Sequence, residues 1–132
     1  MALQYSTTHR NNAMADITTQ VSTTGYILLY TAAAANCAAA ASGSLLASLP
    51  VSNPFAPAPS GGVLTATTPM TATATGTGTA VQWRLCTSSA GTTVVAQGTV
   101  GTSGADLNLT STSISTGQTV TISSFAITAF GA

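Results

Sequence analysis

The chain has 132 residues, of which charged side chains make up 3%, against roughly 25% in an ordinary soluble domain. Arg10, Asp16, Arg84 and Asp106 are the formal charges, His9 is the one imidazole, and the formal net charge is zero. The length bounds the chain to one domain with one core, two arginines are too few to neutralise a run of phosphates, and 45% hydrophobic residues argue against disorder.

A surface with so little electrostatic repulsion favours association, so the composition points to a protein that works assembled. The opening residues MALQYSTTHRNN are polar where a secretory signal needs a basic start and about 7–15 apolar residues. Synthesis in the cytoplasm without export by that route is expected. Residues 6–22 are predicted to be helical: Leu3, Thr7, Arg10, Met14, Ile17 and Val21 recur at three- and four-residue intervals, Ser6 suits the N-cap, and Gly25 lies past the end. Paired asparagines and several threonines lower its intrinsic stability, so this helix needs a surface to pack against. Residues 1–25 therefore read as a helical arm or anchor, with Leu3, Tyr5, Arg10, Met14 and Ile17 as candidate assembly contacts and Arg84 joining them from the β-region.

YILLY at 26–30 reads as a buried strand, far short of the about 20 apolar residues that cross a bilayer. The alanine-rich segment 32–41 is interrupted by Asn36 and Cys37 and closed by Ser-Gly-Ser, which makes it a loop with at most one helical turn. SLLASLPV gives a second short strand, after which Pro50, Pro54, Pro57 and Pro59 force an extended connection.

From Val63 onward the chain alternates or is rich in β-branched residues over 63–67, 71–75, 79–86, 92–100, 106–110 and 119–128, with Gly/Ser turns between several of them. The expected fold is mainly β: residues 26–132 as a single antiparallel β-sandwich or jelly-roll-like domain behind the short N-terminal α-helix. Alternation across a strand places Val81, Trp83 and Leu85 inward, with Gln82 and Arg84 outward. Val120 and Ile122 share a core-facing parity; Phe125 and Ile127 have switched it, which predicts a bulge near Ser123 and Ser124. TATATGTGT, 71–79, sets a threonine at every second position. One row of this kind, broken by Gly76 and Gly78, reads as architecture: threonine suits strands and supplies hydroxyls to a surface without charge.

Residues able to carry chemistry are scarce. A serine or cysteine nucleophile needs a base within reach and a group to orient it, and His9 in the predicted helix is the one candidate base. No Gly-x-Ser-x-Gly elbow and no C-x-x-C pair occurs. GTVGTSGAD lacks the lysine of a phosphate loop, and Asp106 with Asn108 falls short of calcium's 6–8 ligands. No enzyme activity, cofactor or metal is expected, and Cys37 and Cys86 are expected to be free thiols.

Three stretches, LQYSTTHRNNAMADI, YTAAAANCAAAASGSLLASL and GTVGTSGADLNLTSTSISTGQTVTISSFAIT, together resemble a group of small virion structural proteins of tailed bacteriophages, in which a helix precedes an alanine-rich loop and a Thr/Ser/Gly-rich β-region. In style the chain is also similar to head decoration, or cement, proteins. The resemblance supplies no catalytic residue to carry over. It implies a virion component whose partner is the major capsid protein. The charge-poor composition adds that the chain is a homo-oligomer, with a trimer at threefold positions expected from head symmetry and a dimer at twofolds as the alternative, and no nucleic-acid or membrane partner is expected. The alternatives are a head-fibre, collar or tail-spike module that binds host glycan, weakened by a lone tryptophan whose parity buries it, and a self-polymerising fibril subunit using an unprotected β-edge.

Overall fold

The computed structural model describes residues 3–131. Helix α1 (Thr7–Val21) begins at Ser6, whose Oγ accepts the His9 N–H at 3.1 Å, satisfying one of the first-turn donors that a helix leaves unpaired. It ends at Ser22, held in the left-handed region with its N–H donating to the Thr18 carbonyl. Only Ile17 and Val21 of its side chains are buried. Both belong to the main core, and their burial contributes about 1.5–3 kcal/mol each, so the thin stripe is stabilised by packing on the β-region.

Eleven short strands follow: β1 (Tyr26–Tyr30), β2 (Leu45–Pro50), β3 (Val63–Thr65), β4 (Met70–Thr73), β5 (Gly78–Thr79), β6 (Gln82–Cys86), β7 (Val94–Gly101), β8 (Leu107–Asn108), β9 (Ser113–Ile114), β10 (Thr119–Ile122) and β11 (Ala126–Thr128). Among the described residues the protein is thus mainly β with one helix. A five-stranded sheet runs in the order β2-β1-β6-β7-β8, and the remaining strands form the pairs β10-β4, β11-β3 and β5-β9. All pairings are antiparallel except β7 with β8, which is parallel. Ile27 and Leu29 of β1, Leu46 and Leu49 of β2, and Trp83 and Leu85 of β6 meet Leu64, Met70, Val120, Ile122 and Phe125 in the core. Trp83 and Phe125 pack edge to face with ring centroids 4.9 Å apart, a favourable geometry for aromatic quadrupoles.

The parity switch expected at Ser123 and Ser124 is a change of partner: β10 pairs with β4 and ends at Ile122, and β11 pairs with β3 from Ala126. Phe125, between them, is buried. The threonine row lies on the solvent face from Thr71 to Thr79, with Met70, Ala74 and Ala80 buried beneath it. It is not a lone row, because Thr71 faces Thr121 and Thr73 faces Thr119 across the β4–β10 ladder, and Thr77 and Thr116 share a hydroxyl hydrogen bond of 3.1 Å.

Two expectations need correction. Val81 is 41% exposed: it shares the parity of Trp83, yet it continues the open threonine row at the point where the chain leaves β5 for the central sheet, and burial on this side begins only at Trp83. Gln82 and Arg84 do leave on the opposite face, but that face is not in water. Arg84 is only 2% exposed and Gln82 is also buried, because the alanine-rich loop folds over them.

Candidate functional site

The two faces of the central sheet serve different ends. Under the alanine-rich loop, Arg84 donates from Nε to Gln97 Oε1 at 3.1 Å and from Nη2 to the carbonyls of Asn36 (3.2 Å), Cys37 (3.2 Å) and Ala39 (2.8 Å). Gln82 Oε1 accepts the Ala34 N–H at 3.0 Å, and Gln97 Nε2 donates to the Ala34 carbonyl at 3.3 Å. Asn36 Oδ1 accepts the N–H groups of Ala38 and Ala39, an Asx-type turn. None of these Arg84 partners is a carboxylate; the cation is satisfied by carbonyl dipoles, and the loop's backbone is satisfied by the sheet. Leu28, Tyr30 and Cys86 form a small second core beside it. Burial pushes the Cys86 thiol up from its ordinary range, which Arg84 partly offsets and Cys37 reinforces. Burial likewise raises the Tyr30 phenol, with the Cys86 thiol adding and Arg84 opposing. Both cysteines are free, Cys37 exposed and Cys86 buried. Arg84 is therefore a structural clamp, and its candidacy as an assembly contact is withdrawn.

The other assembly candidates converge at the joined chain ends. Tyr5 N–H donates to the Gly131 carbonyl at 2.6 Å, which brings the segment before α1 beside the segment after β11. Tyr5 stacks on His9 with centroids 4.7 Å apart. Arg10 anchors the helix to its surroundings, donating from Nε to the Tyr5 carbonyl (3.4 Å), from Nη1 to the Gly61 carbonyl (3.2 Å) and from Nη2 to Thr7 Oγ1 (3.3 Å). Asn11 Oδ1 accepts the Gly62 N–H at 2.7 Å. Gly62 has φ +79°, and a Cβ there would strike the Arg10 guanidinium, so this turn requires glycine.

Between α1 and β11 lies an apolar groove of about 370 Å³ lined by Tyr5, His9, Arg10, Ala13, Met14, Ile17, Ala96 and the stretch from Ile127 to Phe130. Tyr5, Arg10, Met14 and Ile17 are thus brought together, although Ile17 is buried and forms the floor. Leu3 is 73% exposed and Phe130 87% exposed. Phe130 lines the groove, and Leu3 stands two residues before Tyr5, which also lines it. Phe130 was missed in the sequence because it lies outside any periodic segment; the pairing of the chain ends, which no local pattern encodes, brings it to the groove.

Among the described residues, no three His, Cys, Asp or Glu side chains gather where they could hold a metal ion. Among the same residues, no helix is long and apolar enough to cross a membrane. No protein-family model matches the chain, and neither does any curated protein or solved structure.

Proposed function

We propose that this chain is a non-enzymatic structural component of a bacteriophage virion, a decoration or cement protein. On this reading it is a β-sandwich of jelly-roll style that docks on the head exterior through the surface at its joined ends and bridges neighbouring major capsid subunits. It is made in the host cytoplasm, needs no cofactor and acts as a homo-oligomer, with a trimer matching threefold positions of the shell. The observation that carries the docking assignment is the display of Phe130 in water at the lip of an apolar groove, with Leu3 also exposed two residues before Tyr5 of its lining. A small domain has no folding reason to expose such residues together. The phage assignment itself rests on the three resembling stretches and on a charge-poor surface suited to permanent association.

Copy number in purified particles tests the reading. Hundreds of copies spread over the head support cement. A dozen or fewer at one vertex replace it with a collar or tail role, and filaments without heads replace it with a fibril subunit.

A further inference from the structure

The groove at the chain ends adjoins a second chamber, between β7 and β11, whose two walls are strand edges. In the β11–β3 ladder, Ala66 N–H donates to the Phe125 carbonyl at 2.9 Å and Ala129 N–H donates to the Gly62 carbonyl at 2.8 Å. Odd-numbered residues of β11 therefore bond β3, and Ala126 and Thr128 turn their backbone groups the other way, since an antiparallel ladder alternates. In β7, Val100 N–H donates to the Val81 carbonyl at 2.9 Å, so Gln97 and Thr99 turn theirs away from β6. The outer N–H of Thr99 is taken by the Asp106 carboxylate at 3.0 Å, and β8 covers only Val100 and Gly101. Among the described residues, the outer N–H and carbonyl of Gln97 have no partner.

These two open edges face the same space. A second chamber of about 390 Å³ is lined by Trp83, Gln97, Asp106, Ala126 and Thr128 among others, and it shares Ala96, Ile127 and Thr128 with the first. Trp83 also carries a buried indole N–H that has no acceptor among the described residues. Unpaired edges on both sides of a slot are a template for one more strand, and backbone groups without partners favour its arrival.

We propose that this slot accepts a single extended strand from a partner chain. On the docking reading above, on which this inference rests, that partner is the major capsid protein. The inserted segment joins β7 to β11 and extends the sheet to the order β2-β1-β6-β7-strand-β11-β3. Paired along β11, it spans roughly 10 Å, three residues at about 3.3 Å each. The floor is apolar, so alternate side chains of the segment are small and apolar. Arg10 lines the first chamber and Asp106 the second, with no charged residue among those they share, and the Asp106 carboxylate is already taken by the Thr99 N–H and hydroxyl, so the segment is neutral.

Hydrogen–deuterium exchange of the full chain, free and bound to isolated heads, tests this. The expected result is fast exchange of the outward-facing Gln97, Ala126 and Thr128 N–H groups in the free protein, beside slower ladder-bonded neighbours, and at least tenfold slowing of these three on heads. Ala126→Pro removes only an outward-facing N–H, a position where an edge strand tolerates proline, and is expected to keep the fold while lowering head binding at least tenfold. Unchanged binding by Ala126→Pro, or binding without slowing at the two edges, overturns strand insertion and leaves docking intact. Failure of the unaltered chain to bind heads overturns the docking reading instead. Slow edge exchange in the free protein that depends on its concentration assigns the slot to a second copy and overturns the capsid partner. Should Ala126→Pro not fold, the exchange comparison on the unaltered chain decides alone.

Discussion

Gly98 stands directly opposite Trp83 in the β6–β7 ladder, and its missing side chain lets the indole and the Asp106 carboxylate close over the same backbone position. A Cβ at Gly98 would meet indole Cε2 and Cζ2 at 2.8 Å, inside the roughly 3.5–4.0 Å at which carbon atoms pack. Gly98→Ala is expected to cost about 1–3 kcal/mol through overpacking. Trp83→Ala, which removes the ring that packs on Phe125, is expected to cost about 3–5 kcal/mol, a large share of a small domain's stability. Urea unfolding measures both. The native fluorescence maximum of Trp83 is expected at the short wavelengths of a buried indole, and a water-like maximum would contradict the packing.

Arg84 gives a second test, of the loop and not of the core. Arg84→Met keeps the apolar stem but leaves Gln97 and three loop carbonyls without their donor. Unsatisfied groups of this kind cost about 1–3 kcal/mol. Arg84→Lys is expected to recover little, because an ammonium cannot reproduce the fork of a guanidinium. Amide exchange over 34–41 is expected to rise more than exchange over β1. Equal rises would show that Arg84 supports the whole sheet.

The same residues show what was legible in advance. Local signals placed α1 to within a residue at each end, because a serine cap and a 3.6-residue stripe are local physics. Alternation placed Trp83, Leu85, Val120 and Ile122 correctly, all of them buried. Parity states which side of a strand a residue leaves, but not whether another layer covers that side, and this is why Val81, Gln82 and Arg84 were misplaced. The covering loop is 45 or more residues away in sequence from Arg84, and no local pattern carries that contact. The slot between β7 and β11 was illegible for the same reason: it depends on which edges remain unpaired after folding.

The buried thiol and phenol set an alkaline limit. Cys86 and Tyr30 have folded pKa values raised chiefly by burial, so the folded state holds both protons more tightly than the unfolded chain. Their contribution to stability is fully present below the unfolded values and is lost as pH rises through the folded ones. The melting temperature is expected to show no loss from these groups between pH 6 and 8, and to fall above roughly pH 8.5, the ordinary thiol value. Cys86→Ala is expected to reduce the early part of that fall. An identical alkaline profile in Cys86→Ala would assign the loss to other groups.

The paired threonines of β4 and β10 are expected to be energetically quiet. Their hydroxyls lie in water, and Thr121 Oγ1 and Thr71 Oγ1 are 3.5 Å apart, at the limit of a hydrogen bond. The double change Thr71→Val with Thr121→Val keeps the β-branched shape and is expected to alter stability by no more than about 0.5 kcal/mol. Solubility is expected to fall instead, because these hydroxyls solvate a surface that charges do not. A large loss of stability measured in urea would give the row a structural role that its exposure does not suggest.

On the proposed docking reading, attachment to heads is expected to ignore salt, and the reason is where the two cations are. Arg84 is sealed under the loop, and the Arg10 guanidinium bonds Tyr5, Gly61 and Thr7 of its own chain, so neither is free to carry a partner's carboxylate. What remains at the docking face is Leu3, Tyr5, Phe130, the apolar groove and unpaired strand edges. Ionic screening weakens none of these, even at 1 M salt where the Debye length is about 3 Å. Occupancy on isolated heads is therefore expected to stay nearly constant from low to molar NaCl and to fall in urea, which solvates apolar and peptide groups alike. Phe130→Ser and Leu3→Ser change exposed side chains, so they are expected to leave the melting temperature within about 2 °C while weakening docking together by tenfold or more, about 1.4 kcal/mol. Heads stripped of the protein are expected to release DNA at lower temperature, since every docked copy adds binding free energy to the closed shell. Release by moderate salt, with resistance to urea, would show that contacts through charge hold the protein on and that the apolar face does not.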